Sequence, residues 1–289
     1  MATGPFPVVF CDVFTDRPLA GNQLAVFPHG DGVPEELMQP IAREINFSET
    51  VFALPPAADG DVRIRIFTPA SELPFAGHPV LGSAVVLAER GAASAITLET
   101  GRGPVRVELG PAGGPSRFGR MSQPIPTVAA HREPGPVLAA VGAGPSLLPA
   151  EVYDNGVRCA FVVLPDTEAV AAVAPDSGAL ARAILADPTG PVCVGVVAGA
   201  GTRWKLRVFA PAAGVVEDPA TGSAAGALVC FLLRHGAVGP GEEIEISQGA
   251  EIGRPSTLLA RADGPAERIE RVEVGGSTVV VAEGAFTLP

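Results

Sequence analysis

Cysteine is scarce and scattered. Cys11, Cys159, Cys193 and Cys230 form no CxxC pair, and with only four well-separated histidines they offer no zinc-ligand spacing. They read as reduced core cysteines, so neither a metal site nor a disulfide framework is expected. Charge is low as well. Asp, Glu, Lys and Arg make up 18% of the chain, with a net charge of −11 and a pI near 4.8. No basic stripe is present to neutralise phosphates, which argues against nucleic acid or an anionic membrane as partner and favours a small molecule. The longest apolar stretch, Gly222 to Leu233, is too short to span a bilayer and ends at Arg234-His235. Met1 to Phe10 lacks the basic start, apolar core and cleavage site of a signal peptide, so the chain reads as cytoplasmic. Coiled-coil heptads are absent too.

What is there is a repeat. Arg65-Ile66-Phe67-Thr68-Pro69 leads to Gly77-His78-Pro79-Val80-Leu81-Gly82-Ser83-Ala84. Half a chain later, Arg207-Val208-Phe209-Ala210-Pro211 leads to Glu217-Asp218-Pro219-Ala220-Thr221-Gly222-Ser223-Ala224. In each copy a β-type run ends at a proline, and a polar or charged residue precedes a second proline expected to open an apolar helix. If the two halves face each other, the helix N-termini converge on one cleft, where free backbone N–H groups would hold a small anion.

At 289 residues and 47% hydrophobic, the chain fits two domains, each with its own core. Strands are expected at Val8–Phe14, Leu24–Phe27, Val51–Leu54, Arg63–Phe67, Ile96–Glu99 and Val105–Leu109. More follow at Cys159–Leu164, Val192–Val197, Leu206–Phe209, Ile244–Ser247 and Thr257–Arg261. Ile269–Val274 and Thr278–Ala282 read as a hairpin joined at Gly275-Gly276. Helices are expected at Glu35–Ile45, stopping at Asn46, and at Pro79–Arg90, closed by Gly91. Two more are expected at Ser177–Leu185 and Pro219–His235. This is an α+β pattern. The Pro/Gly-rich stretch 124–136 suggests a boundary, giving an N-terminal half at 1–126 and a C-terminal half at 127–277, with a strand near 278–289 free to return to the first. Both repeat helices are apolar or small on every face, which calls for burial all round. Two pseudo-symmetric halves follow, each a curled, mostly antiparallel sheet wrapped around a central apolar helix.

Five motifs then occur in a telling order. They are Phe14-x₆-Gly21-Asn22, Phe47-Ser48-Glu49-Thr50, Phe67-Thr68-Pro69 to Glu72-Leu73-Pro74-Phe75-Ala76-Gly77-His78-Pro79, Glu217 to Ala224, and Gln248-Gly249 to Gly253-Arg254-Pro255-Ser256. Together they resemble the PhzF-like isomerases of phenazine biosynthesis, over essentially the whole chain. The resemblance implies a diaminopimelate-epimerase-like fold, an active site between the halves, no cofactor and a homodimer. It also implies a proton moved between carbons of a small anionic substrate, the named reaction being isomerisation of trans-2,3-dihydro-3-hydroxyanthranilate.

By the same resemblance Glu49 is the general acid/base, with His78 and Asp218 as polar partners. Gly77, Gly222 and Ser223 match positions that present N–H or hydroxyl groups to substrate. Local evidence alone is blander: Glu49 reads as a solvated loop acid, Asp218 before Pro219 as a helix cap, and His78 as a buried or capping histidine. Arg65 and Arg207 read as solvated strand faces and are left out of the site. Position 221 is Thr and position 225 Ala, so the G-x-S-x-G of a hydrolase elbow is missing around Ser223. Relatives of this fold that racemise amino acids place a cysteine at each of the two helix starts, and here His78 and Asp218 stand there. An amino-acid or hydroxy-acid epimerase, and a non-catalytic carboxylate binder, remain the alternative readings.

Overall fold

The structure, a computed structural model, describes residues 4–88 and 93–288. The chain forms two units, Met1–Ser122 with Gly275–Pro289, and Gln123–Val274. The first contains β1 (Gly4–Val13), β2 (Asn22–Phe27), α1 (Glu35–Ile45), β3 (Glu49–Leu54), β4 (Val62–Phe67), β5 (Glu72–Leu73), α2 (Gly77–Ala88), β6 (Ala95–Thr100), β7 (Gly103–Leu109) and most of β8 (Arg117–Gln123). The second contains β9 (Thr127–Ala130), α3 (Pro134–Val141), β10 (Glu151–Asp154), β11 (Arg158–Val163), α4 (Thr167–Ala172), α5 (Ser177–Ala186), β12 (Cys193–Ala200) and β13 (Arg203–Ala210). It continues with β14 (Val215–Asp218), α6 (Gly222–Arg234), β15 (Ile244–Gln248), β16 (Ser256–Asp263) and the start of β17 (Arg271–Leu288).

The strands of the two units share one wiring. In the first unit β1–β2 is antiparallel, β2–β3 parallel, β3–β4 antiparallel, β4–β6 parallel and β6–β7 antiparallel. In the second, β10–β11, β11–β12, β12–β13, β13–β15 and β15–β16 repeat that order of senses. In each unit the strands are covered on both faces, which period-two alternation makes possible. Along β3, Phe52 and Leu54 point to a cluster built with Met38, Ile41 and Ala42 of α1, where Phe27 stacks on Phe52 at 4.8 Å. Glu49, Val51 and Ala53 alternate with them and point the other way. In the second unit α3, α4 and α5 cover one face, through Val137, Val170, Leu180 and Ile184 packed on Val194, Val196 and Phe209.

The central helices are buried as their all-round apolar surface requires. Every residue from Gly77 to Val86 in α2, and from Gly222 to Leu233 in α6, is buried. Glycine is needed at Gly82: a Cβ there would lie 2.6 Å from Val13 Cγ2 and 2.7 Å from Leu24 Cδ2, so its absence lets β1 and β2 close on the helix. The expected end of this helix at Arg90-Gly91 lies outside the described residues.

Three expectations are corrected. Gly275-Gly276 is no hairpin: β17 runs unbroken through it, and its C-terminal part pairs antiparallel with β1 from Val13↔Thr278 to Gly4↔Leu288. A two-residue hairpin turn needs positive φ, which neither glycine has. Gly275 serves close approach instead, since a Cβ would meet Phe118 Cζ at 2.8 Å and the Gly119 carbonyl at 3.0 Å. Next, Pro219 does not open α6, which begins at Gly222 after the short strand β14. The shared Gly-Ser-Ala tripeptide, mid-helix at 82–84 but helix-opening at 222–224, shifts the apparent repeat by five residues. The strand register sets the true equivalence: Ile66 pairs with Leu73 as Val208 pairs with Asp218, so Leu73 matches Asp218, Gly77 matches Gly222 and His78 matches Ser223. Finally, Arg207 is only 6% exposed and is no solvated face. The first unit leaves Arg65 beside α1, whereas α4 closes over the equivalent position in the second.

Candidate active site

Glu49 opens β3 on the face turned toward α2, and its side chain is 14% exposed, too enclosed for a solvated loop acid. Its Oε2 lies 3.3 Å from Nε2 of His78, the second residue of α2. The other ring nitrogen, Nδ1, is 3.3 Å from the Asn22 side-chain nitrogen, and the Ser48 hydroxyl donates to the Asn22 Oδ1 at 2.8 Å. A chain of side chains from β2, the β3 approach and α2 thus orients the imidazole toward the carboxylate. Gly77 and His78 also contribute first-turn N–H groups, which have no intrahelical acceptor and favour negative charge nearby.

Burial lowers the His78 pKa from its ordinary 6.5 to about 3, opposed by a hydrogen bond to the Gln23 backbone. The imidazole that faces Glu49 is therefore neutral. The consequence for stability has a definite sign. Below pH 6.5 the unfolded chain takes up a proton that the folded chain refuses until about pH 3, so this group makes stability fall as pH drops through that window. In proton NMR, the ring resonance missing from His78→Gln should stay unmoved between about pH 8 and pH 5, where an ordinary histidine shifts. A mid-range titration of that resonance would contradict the enclosed, neutral ring.

In the second unit Asp218 ends β14 and its Oδ2 accepts from the Thr221 hydroxyl at 2.5 Å. Gln248 secures both: its Nε2 donates to the Asp218 carbonyl at 2.8 Å and to Thr221 Oγ1 at 3.0 Å, while its Oε1 accepts from the Thr221 N–H at 3.1 Å. Gly222 and Ser223 follow as the first residues of α6. Gln123 donates to the Gly222 carbonyl at 2.9 Å, and Asn155 donates to the Ser223 carbonyl at 2.9 Å and to Gln123 Oε1 at 3.1 Å. The structure thus joins Glu49 with His78, at the start of α2 with Gly77, and places Asp218, Gly222 and Ser223 within one stretch of the other unit.

Asn22, Ser48 and Gln248 carry contacts that sequence reasoning did not assign. All three stand inside the motifs quoted above, which was the available signal. A groove of about 960 Å³ in the first unit is lined by Arg63, Arg65, Glu72, Glu99 and Pro104 and includes none of the candidate residues. Two of its acids are engaged: Glu72 holds Arg65, and Glu99 accepts from the backbone of Ala57, Ala58 and Gly60. Among the described residues, no group of three or more His, Cys, Asp or Glu could hold a metal ion. No helix there is long and apolar enough to cross a membrane.

Comparison with known proteins bears on this geometry. The model of the phenazine biosynthesis-like protein family matches residues 11–284. The chain belongs to this family. It is 46% identical over 280 residues to the trans-2,3-dihydro-3-hydroxyanthranilate isomerase of Pseudomonas fluorescens, covering 97% of this chain and 99% of that one. To the isomerase of the same name from Pseudomonas aeruginosa it is 48% identical over 276 residues, covering 96% and 97%. A crystal structure of a PhzF-family phenazine biosynthesis protein from Bacillus anthracis superposes with a TM-score of 0.86 at 24% identity, covering 99% of this chain and all of that one. A hydroxyproline epimerase from Agrobacterium vitis shares the fold at a TM-score of 0.64 and 16% identity, covering 100% and 93%. The family member described here is a PhzF-type isomerase with the diaminopimelate-epimerase-like fold.

Proposed function

We propose that this protein isomerises trans-2,3-dihydro-3-hydroxyanthranilate, with Glu49 as its single acid/base. The observation that carries the reading is the enclosed Glu49 carboxylate held 3.3 Å from a neutral His78. Glu49 takes a proton from one ring carbon and returns it to another, so no proton is lost and no redox partner is consumed. The imidazole is neutral, so no cation stands at this contact. N–H groups of Gly77 and His78 stabilise the charge that develops on the substrate. Gly222, Ser223 and Asp218 are assigned to the substrate carboxylate and amine by family resemblance.

The strand register gives Glu49 no carboxylate counterpart in the other half. Glu49 pairs with Leu24 and Thr50 with Phe67, as Cys193 pairs with Cys159 and Val194 with Phe209, so Cys193 stands where the other half has Glu49. Its thiol pKa is raised well above the ordinary value by a hydrogen bond with Cys159 and by burial. A neutral thiol there is no partner base for a two-base inversion.

The test is proton NMR in deuterium oxide with trans-2,3-dihydro-3-hydroxyanthranilate. The expected result is a shifted double bond with any solvent deuterium on the carbon that receives the proton. Inversion with deuterium on the carbon that lost the proton would replace the isomerase reading by an epimerase one.

A further inference from the structure

The corrected repeat brings out a device present in both units. Arg65 Nε and Nη2 each donate to Glu72 at 2.7 Å, and Arg207 Nε and Nη2 donate to Glu217 at 2.9 and 2.8 Å. The glutamates occupy equivalent places, each one residue before the matched pair Leu73 and Asp218. In both units a two-pronged arginine thus holds the short strand that leads into the central helix. The two copies differ in enclosure. The side chains are 24% and 40% exposed in the first pair but only 8% each in the second. Arg207 is also anchored from above, where its Nη1 donates to the carbonyls of Val170, Ala171 and Val173 at 3.2, 3.1 and 2.7 Å.

Successive residues of a strand point to opposite faces. Glu217 points outward to Arg207, so Asp218 points inward, on the face of Val208 and the central helix. A bidentate arginine fixes both the distance and the plane of its carboxylate, and an arginine tied to three carbonyls has little freedom to yield. The tighter, buried copy of the device stands where the next residue is an acid, and the looser copy where it is Leu73.

We propose that Arg207 and Glu217 are positioning residues for the isomerisation, acting through Asp218, whose carboxylate they hold in place against the substrate. This rests on the assignment of Asp218 to the reaction. The experiment measures kcat and KM for Glu217→Gln, Arg207→Lys, Asp218→Asn and the double variant Glu217→Gln/Asp218→Asn, with melting curves taken alongside. Glu217→Gln is expected to lower kcat about 10- to 100-fold, the scale of a misplaced reacting group. Arg207→Lys keeps the charge but loses the fork, and should fall by a similar factor. In the Asp218→Asn background, Glu217→Gln should have no further effect on kcat. Equal losses in both backgrounds, or a lowered melting temperature with unchanged kcat, would overturn the proposal and leave the pair purely structural. An Asp218→Asn enzyme with full kcat would instead remove the assignment of Asp218, a different failure. Should Glu217→Gln fail to fold, the double variant Arg207→Lys/Asp218→Asn carries the same comparison.

Discussion

Glu49→Gln is expected to lower kcat by about 10²- to 10⁴-fold, the range attributable to a positioned general acid/base. The substitution keeps size and hydrogen-bonding shape and removes only the ability to take up and return a proton. Folding should survive it, because Glu49 stands at the first position of β3 and is not among the buried apolar residues that hold α1 and α2. His78 remains neutral through its own burial, so its state does not depend on the Glu49 charge. Single-turnover assays with trans-2,3-dihydro-3-hydroxyanthranilate, followed by deuterium exchange, measure the effect on chemistry apart from binding. KM should change little, since a group that acts on the migrating proton contributes mainly in the transition state. A loss smaller than tenfold, with exchange intact, would remove Glu49 from the chemistry.

The legible parts of this chain were those where local pattern and packing agree. The all-round apolar surfaces of residues 80–88 and 222–233 demanded enclosure, and α2 and α6 are enclosed. Glu35–Ile45 was readable to the residue because its apolar stripe and the left-handed Asn46 cap coincide. The errors came where short sequence and geometry part company. Gly275-Gly276 has the composition of a turn but is used for contact with Phe118, which sequence does not reveal. Arg207 alternates with apolar residues just as Arg65 does, yet the residues whose carbonyls hold it, Val170, Ala171 and Val173, lie at the end of α4 and just after it, a short helix that apolar spacing did not mark. The Glu49–His78 pair was named through family resemblance. The chain from Ser48 through Asn22 to His78 depends on three segments meeting, and adjacency of that kind is not written in any one of them.

The largest loss of stability is expected from Phe231→Ala. Phe231 lies in the C-terminal part of α6 with no exposed surface and is the hub of an aromatic group: Phe161 at 5.4 Å, Tyr153 edge-on at 5.7 Å, and the His235 ring at 4.7 Å between centroids. Removing the ring deletes its transfer energy and leaves a cavity whose walls, a sheet on one side and a helix on the other, cannot collapse together. The cost is about 3–5 kcal/mol, against a total of about 5–15 kcal/mol for a domain. Phe231→Leu retains most of the volume and should cost less than about 1.5 kcal/mol. Trp204 is the chain's single tryptophan and is buried in β13 of the same unit, so urea unfolding followed by its fluorescence reports the right transition. The midpoint should fall in the order wild type, Leu, Ala at constant slope. A loss below about 1 kcal/mol for Ala would mean that Tyr153 and Phe161 refill the space. Activity should track the same order on warming, because the N-terminal turn of this helix carries Gly222 and Ser223, and the helix cannot hold them in place once its core is gone.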